Sequence, residues 1–369
     1  MVLGLAAMPA SAATAPVGTS GAATVEACGE SLPAPGKPAG PVKALCGFNL
    51  PEDMAMTPDG RHVLVGDLGM VLTPTGVKMP DRPTDIAVLD TTTDKVGKLV
   101  RTFDKGPNWG DPACPARGPD DKFLVIGLSV GQRAHGVVQL LVVNPMGGEH
   151  VEFYELQRAG GGGLSAAWRG CVMAPADGTV DAVSPMPDGG FVASVICAKS
   201  LGGTAPCTRA GLAGGNTGWL LAWSPGGAVR RLANSDAALN NGLVASADGR
   251  EVYMVATGTN ALRVYSLRQQ RYVRDIALGF RADNAHPGPG GTVLTGGTIA
   301  GNLCLGLRAK GCVNQSRVAS VNPRSGRVTI LFSAGDGLLS GTTAGLIAGR
   351  SLYVSSLSDP FLLKARLRR

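Results

Sequence analysis

The stretch Asn240-Asn241-Gly242-Leu243-Val244-Ala245-Ser246-Ala247-Asp248-Gly249-Arg250-Glu251-Val252-Tyr253-Met254-Val255 reads as two short apolar strands joined at Asp248-Gly249. Asp-Gly between apolar runs is a strong hairpin signal, because glycine supplies the positive φ that a tight primed turn needs. The same figure recurs on either side. Asp59-Gly60 leads into His62-Val63-Leu64-Val65, Asp120-Asp121 into Phe123-Leu124-Val125-Ile126, and Asp188-Gly189 into Phe191-Val192-Ala193. Gly290-Gly291 leads into Val293-Leu294, and Ala348-Gly349 into Leu352-Tyr353-Val354. Further apolar strands follow the hairpins, among them 85–90, 137–143, 219–223, 261–265, 317–321 and 361–366. Six units of about four short strands, recurring roughly every 40–70 residues, describe an all-β fold, a six-bladed β-propeller. The last unit runs short of strands after Phe361, so a strand near Val42–Phe48 is expected to complete it and close the ring from the N-terminal side.

Composition agrees. The 54 glycines and 25 prolines of the 369 residues are about a fifth of the chain, against roughly 12% in average usage. An apolar content of 44% is enough to bury a core, which excludes a disordered chain. The glycines lack a period of three, which excludes collagen. The net charge of +7 is scattered apart from Lys364-Ala365-Arg366-Leu367-Arg368-Arg369, which reads as a solvated tail. There is no phosphate-binding loop, no paired CxxC and no nucleic-acid signature. Nucleic acid is therefore not an expected partner, and no apolar run is long enough to suggest a membrane span.

Counting back seven residues from the first turn residue of each hairpin reaches the start of each innermost strand, where the chain enters the central channel. The six positions are Glu52, Ala113, Asp181, Asn241, Asp283 and Gly341. Four of them are Glu, Asp, Asn and Asp, and a common register brings them to one mouth of the channel. Three carboxylates held together without a cation repel one another and raise one another's pKa values. A hard divalent cation resolves this, and calcium suits a flexible all-oxygen set, with another divalent cation as the alternative.

These residues carry a resemblance. Asn240-Asn241-Gly242-Leu243-Val244-Ala245-Ser246-Ala247-Asp248-Gly249, with Tyr253 beyond it, is similar to a stretch of the gluconolactonase, regucalcin and paraoxonase-like superfamily. Glu52-Asp53 before a strand and Asp-Gly turn, Asp283-Asn284, and the final unit Ser340–Tyr353 resemble it too. The resemblance spans roughly residues 45 to 366. It implies a catalytic calcium in the channel of a six-bladed propeller that hydrolyses lactones or esters. It also implies that Glu52, Asn241, Asp283 and Asn284 are metal ligands, beside Asp181 from the register. Two departures stand out. The family has Asn where Asp181 stands. Its second-blade channel histidine falls on Pro112-Ala113-Cys114, and that histidine's partner falls near Ser129.

Without that histidine pair, a carboxylate is the expected base. Asp283 is the first candidate, Asp181 the second, and His286 the one histidine placed near the channel. His62 and His150 are expected to face solvent and His135 to be structural. Gly127-Leu128-Ser129-Val130-Gly131 fits a nucleophile-elbow pattern but is followed by a strand rather than the helix that motif needs. The expected activity is an exported, calcium-dependent hydrolase of small-molecule lactones or esters. Its alternative is a non-catalytic ligand- or partner-binding propeller with a structural calcium.

Residues 1–12 read as an export signal with a small-residue cleavage box at Ala10-Ser11-Ala12, 13–40 as a flexible linker, and 41–369 as the propeller. The expected location is periplasmic or secreted. Eight cysteines fit an oxidising compartment. Cys197–Cys207 and Cys304–Cys312 are the expected local disulfides, with Cys28–Cys46 and Cys114–Cys171 as further pairings.

Overall fold

The computed structural model describes residues 31–32, 36–37, 42–68, 71–73, 76–78, 84–160, 163–300, 314–334, 338–339 and 341–367. Six sheets stand around a central channel. From the channel outward, blade 1 is Pro51–Met56, His62–Asp67, Asp85–Asp90 and Val96–Lys98. Blade 2 is Gly127–Gln132, Val138–Asn144, His150–Arg158 and Leu164–Met173, with Val100–Thr102 added in parallel at its outer edge. Blade 3 is Gly178–Pro185, Phe191–Ala198, Trp219–Trp223 and Arg230–Arg231. Blade 4 is Asn240–Ala245, Glu251–Ala256, Ala261–Ser266 and Arg271–Ala277. Blade 5 is Arg281–Pro287, Val293–Ala300, Asn314–Val321 and Val328–Ala334. Blade 6 is Thr342–Ala348, Ser351–Ser356 and Phe361–Arg366, completed by Val42–Cys46. Inner strands of successive blades neighbour one another, and that of blade 6 meets that of blade 1.

The closing strand lies where expected. Val42–Cys46 pairs antiparallel with Phe361–Lys364, from Phe361↔Cys46 to Lys364↔Lys43. Asp94, in the outer turn of blade 1, clamps the seam by accepting from Lys364 Nζ at 2.6 Å and Lys43 Nζ at 3.1 Å. Lys364 thus belongs to a strand and an ion-pair clamp rather than to a solvated tail. Inside the stretch expected as linker, Ser31–Leu32 pairs with Val42–Lys43 and Gly36–Lys37 with Ser333–Ala334, each extending a blade outward.

Apolar faces of adjacent blades bury each other. Between blades 2 and 3, Phe153, Phe191 and Trp223 form an aromatic triangle with centroids 5.6–6.1 Å apart, walled by Leu141 and Val143. Full burial of such rings contributes about 1.5–3 kcal/mol each.

Blade 2 departs from expectation. Asp120-Asp121 is not its hairpin; the inner strand is Gly127–Gln132, and the turn is at Ala134–Gly136. Residues 103–126 form no strand. Pro107, Pro112, Pro115 and Pro119 remove the N–H donors a ladder requires. This segment is fixed instead by the Cys114–Cys171 disulfide and by Asp111 N donating to Cys171 O at 2.9 Å. Ala113 is therefore exposed in a loop and not at the channel register.

The Cys197–Cys207 disulfide is present and ties helix Thr204–Leu212 to the second strand of blade 3. Cys46 is also disulfide-bonded, while Cys28, Cys304, Cys312 and the 1–12 segment lie outside the described residues. No helix among the described residues is long and apolar enough to cross a membrane.

Candidate functional site

Five of the six inner strands break register with their neighbour near their start, and the break decides which side chains reach the channel. In blade 1, Glu52 is the extra residue between the pairs Pro51↔Asp67 and Asp53↔Gly66. In blades 3, 4, 5 and 6, two residues oppose one: Asp181 and Ala182, Asn241 and Gly242, Asp283 and Asn284, and Thr343 and Ala344. A β-bulge bends the strand and re-aims side chains that strict alternation would send to opposite faces. Backbone groups freed by the bulges find hydroxyls: Ala182 N donates to Ser194 Oγ at 3.0 Å, and Thr295 Oγ1 to Asn284 O at 2.8 Å.

The bulges bring Glu52, Asp181, Asn241, Asp283 and Asn284 together. Asn284 Nδ2 donates to Glu52 Oε1 at 2.8 Å, a contact across the channel between blades 5 and 1, which blade 6 separates along the ring. Thr343 Oγ1 and Ser355 Oγ, from blade 6, donate to Glu52 O at 2.6 and 3.0 Å and fix its backbone. Gly242 permits the approach of blades 4 and 5: a Cβ there would lie 2.2 Å from Ala285 N and 2.5 Å from Asn284 Cα. The Asn-Gly pair thus sets Asn241 beside Asp283, where its amide favours the ionised form of that carboxylate.

Blade 6 differs from expectation. Its hairpin has two residues, with Ala348↔Ser351 directly paired, whereas Thr57 N to His62 O in blade 1 closes a longer loop. The seven-residue count therefore overshoots, and Thr343 rather than Gly341 is the bulge residue.

Asp53 is a site residue that alternation hides. It is 3% exposed, accepting from Met54 N at Oδ1 (2.8 Å) and from Leu128 N of blade 2 at Oδ2 (2.9 Å). His286 turns to Asp53 as well. Its buried Nε2 lies 3.2 Å from Asp53 Oδ1, off the line of a good hydrogen bond and with no other partner among the described residues.

Burial, and then mutual repulsion, disfavours ionisation of these carboxyls. Burial raises the pKa of Glu52 well above the ordinary range, and repulsion from Asp283, Asp53 and Asp181 adds to this. Burial also raises Asp181, followed by repulsion from Asp283, Asp53 and Glu149. Asp283 is pushed up to about 7, chiefly by burial and further by Asp53, against the hydrogen bond from Asn241.

Among the described residues, no three His, Cys, Asp or Glu side chains are gathered to hold a metal ion by themselves. Asn241 Oδ1 is buried without a hydrogen-bond partner among the described residues. An orphaned amide oxygen beside mutually repelling carboxylates fits a hard, oxygen-preferring dication.

Asn241 and Asp283 also line a cavity of about 190 Å³, with Ile196, Leu212, Leu239 and Leu357 as apolar wall. Leu212 comes from the disulfide-tied helix. That helix and the 103–126 segment both lie on the face where the inner strands begin, so they crown the site.

The other histidines lie elsewhere. His62 is 8% exposed and His150 1%, both buried rather than solvent-facing. His150 meets Gly148 O and Glu152 Oε1 at 2.6 and 3.0 Å in a buried cluster with Tyr154 and Asn144. His135 is exposed in the blade 2 turn, at φ 59°. Ser129 sits mid-strand, which removes the elbow its motif requires.

No family model matches the sequence, and no curated protein matches it. Solved structures resemble it in fold. A luciferin-regenerating enzyme is 14% identical over 87% of this chain and 92% of its own, with a TM-score of 0.50. A gluconolactonase candidate is 15% identical (89% and 92% covered, TM-score 0.48). The calcium-binding protein regucalcin from Agrobacterium tumefaciens is 11% identical (87% and 90% covered, TM-score 0.48).

Proposed function

We propose that the chain is an exported calcium-dependent hydrolase of small lactones or related esters. One observation carries this reading: Asn241 and Asp283 belong both to the carboxylate–amide cluster and to the wall of a small, half-apolar cavity. A purely structural ion needs no cavity at its ligands. At about 190 Å³ the cavity is below the ~300–1,000 Å³ of sites for drug-sized ligands, which restricts it to small molecules.

Glu52, Asn241, Asp283 and Asn284 would hold the cation, with Asp181 beside them. When bound, the cation supplies positive charge that polarises the ester carbonyl and favours its developing oxyanion. The protein does the rest. Asp283, ionised, takes a proton from the attacking water and returns it to the leaving alkoxide. The Asn241 amide beside Asp283 favours its ionised form. Ile196, Leu212, Leu239 and Leu357 exclude bulk water from the substrate's apolar side. Asp181 is the second candidate for the base. His286 is the least suited, because its ring is buried against Asp53 and does not line the cavity.

The test is hydrolysis of a panel of small lactones and an aryl ester before and after EDTA. Turnover lost in EDTA and restored by calcium is the expected result. No turnover of any substrate, with calcium affecting only thermal stability, would replace the hydrolase by a binding propeller. The disulfides Cys114–Cys171 and Cys197–Cys207 support export, since such bonds persist in oxidising compartments.

A further inference from the structure

Arg281 begins the inner strand of blade 5, two residues before Asp283, and lines the same cavity. Its guanidinium has no ion pair and no side-chain hydrogen bond among the described residues. Other arginines at blade edges are matched: Arg169 with Glu155 at 2.8 Å, Arg263 with Asp275 at 2.9 Å. Thr298 is Arg281's direct cross-strand partner, so the two side chains share a face, and it lines the cavity too. The hydroxyls of Thr298 and of Thr208, on the helix, have no hydrogen bond within the described protein. Thr257 and Thr342, also in the wall, spend theirs on Ala282 O and Ser316 Oγ. The cavity thus presents an unmatched guanidinium with two free hydroxyls beside the acidic cluster.

Resting on the hydrolase reading, we infer that Arg281 receives a carboxylate of the substrate, so that the substrates are acidic lactones or esters. A guanidinium pairs with a carboxylate through two parallel N–H···O bonds, and a partly enclosed cation without a counter-ion is the arrangement such a group completes. Two residues along a strand place Arg281 about 6–7 Å from Asp283. That span sets the carboxylate on the lactone ring itself or one carbon from it, with the ester carbonyl at the Asp283 end. Thr298 and Thr208 then donate to the carboxylate's remaining lone pairs or to a ring hydroxyl.

Binding and turnover separate the two readings. Tetrahydrofuran-2-carboxylate and tetrahydrofuran-2-carboxamide have the same shape and no ester, so titration in calcium-containing buffer reads recognition alone. The wild type is expected to bind the carboxylate at least tenfold more tightly than the carboxamide. Arg281→Gln erases that preference, and Arg281→Lys keeps part of it, since lysine carries the charge without the fork. Equal affinities in the wild type, no binding of the carboxylate, or a preference that survives in folded Arg281→Gln overturns the inference. If Arg281→Gln does not fold, an undiminished preference in Arg281→Lys does the same. Hydrolysis of 5-oxotetrahydrofuran-2-carboxylate, followed separately, reports on the hydrolase reading.

Discussion

Asn241 concentrates the chemistry of the site in one side chain. It favours the ionised form of Asp283, lines the cavity, and holds a buried oxygen with no hydrogen-bond partner among the described residues. Asn241→Ala is expected to weaken calcium binding roughly tenfold or more, the scale seen when groups supporting a metal are removed. Titration of the variant checks this, and unchanged affinity with intact circular dichroism would remove Asn241 from the ligand set. The bulge positions of Glu52, Asp181, Asn241 and Asp283 were legible in the sequence because a hairpin turn fixes distance along the chain. Asp53 was not, because alternation sends neighbours to opposite faces and the bulge that cancels this leaves no mark in residue type. The environments of His62 and His150 were equally hidden: both sit near turns, where exposure is the default, yet both are buried.

At the scale of elements, the bulged inner strand is the unit that makes the site. Gly242 shows the cost of crowding it. Gly242→Ala puts a methyl group 2.2 Å from Ala285 N, so the inner strands of blades 4 and 5 must part. Overpacking of this kind costs about 1–3 kcal/mol. Thermal unfolding should show a lowered Tm together with weakened calcium binding; unchanged values for both would mean the two strands are not tightly packed. Hairpins with Asp-Gly turns were read correctly in blades 1, 3 and 4, where the turn Asp stands two residues after the first loop residue, Thr57, Met186 or Ser246. Blade 2 misled because Asp120-Asp121 imitates a turn inside a proline-rich loop, and blade 6 because its two-residue turn shortens the count. Loop length is set by local hydrogen bonding, which composition does not encode.

Across the whole molecule, the ring gathers acids from blades 1, 3 and 5 into one poorly solvated space, and stability inherits the strain. An acid whose folded pKa is raised keeps its proton longer in the folded state than in the unfolded one. Between the two pKa values the folded state binds more protons, so stability falls as pH rises. Glu52 and Asp181 are raised, and Asp283 to about 7, against ordinary carboxyl values of about 4. In EDTA, the Tm should therefore decline as pH rises from about 4 through 7, and calcium should abolish the decline. A Tm in EDTA that is flat across this range would mean the carboxylates are well solvated. The central claim is that these residues form one cation site, and calorimetric titration of EDTA-stripped protein with calcium tests it most directly. One strong site in the wild type that is lost in Asp283→Ala is the predicted result; no heat of binding in the wild type, or an undiminished site in Asp283→Ala, would contradict it.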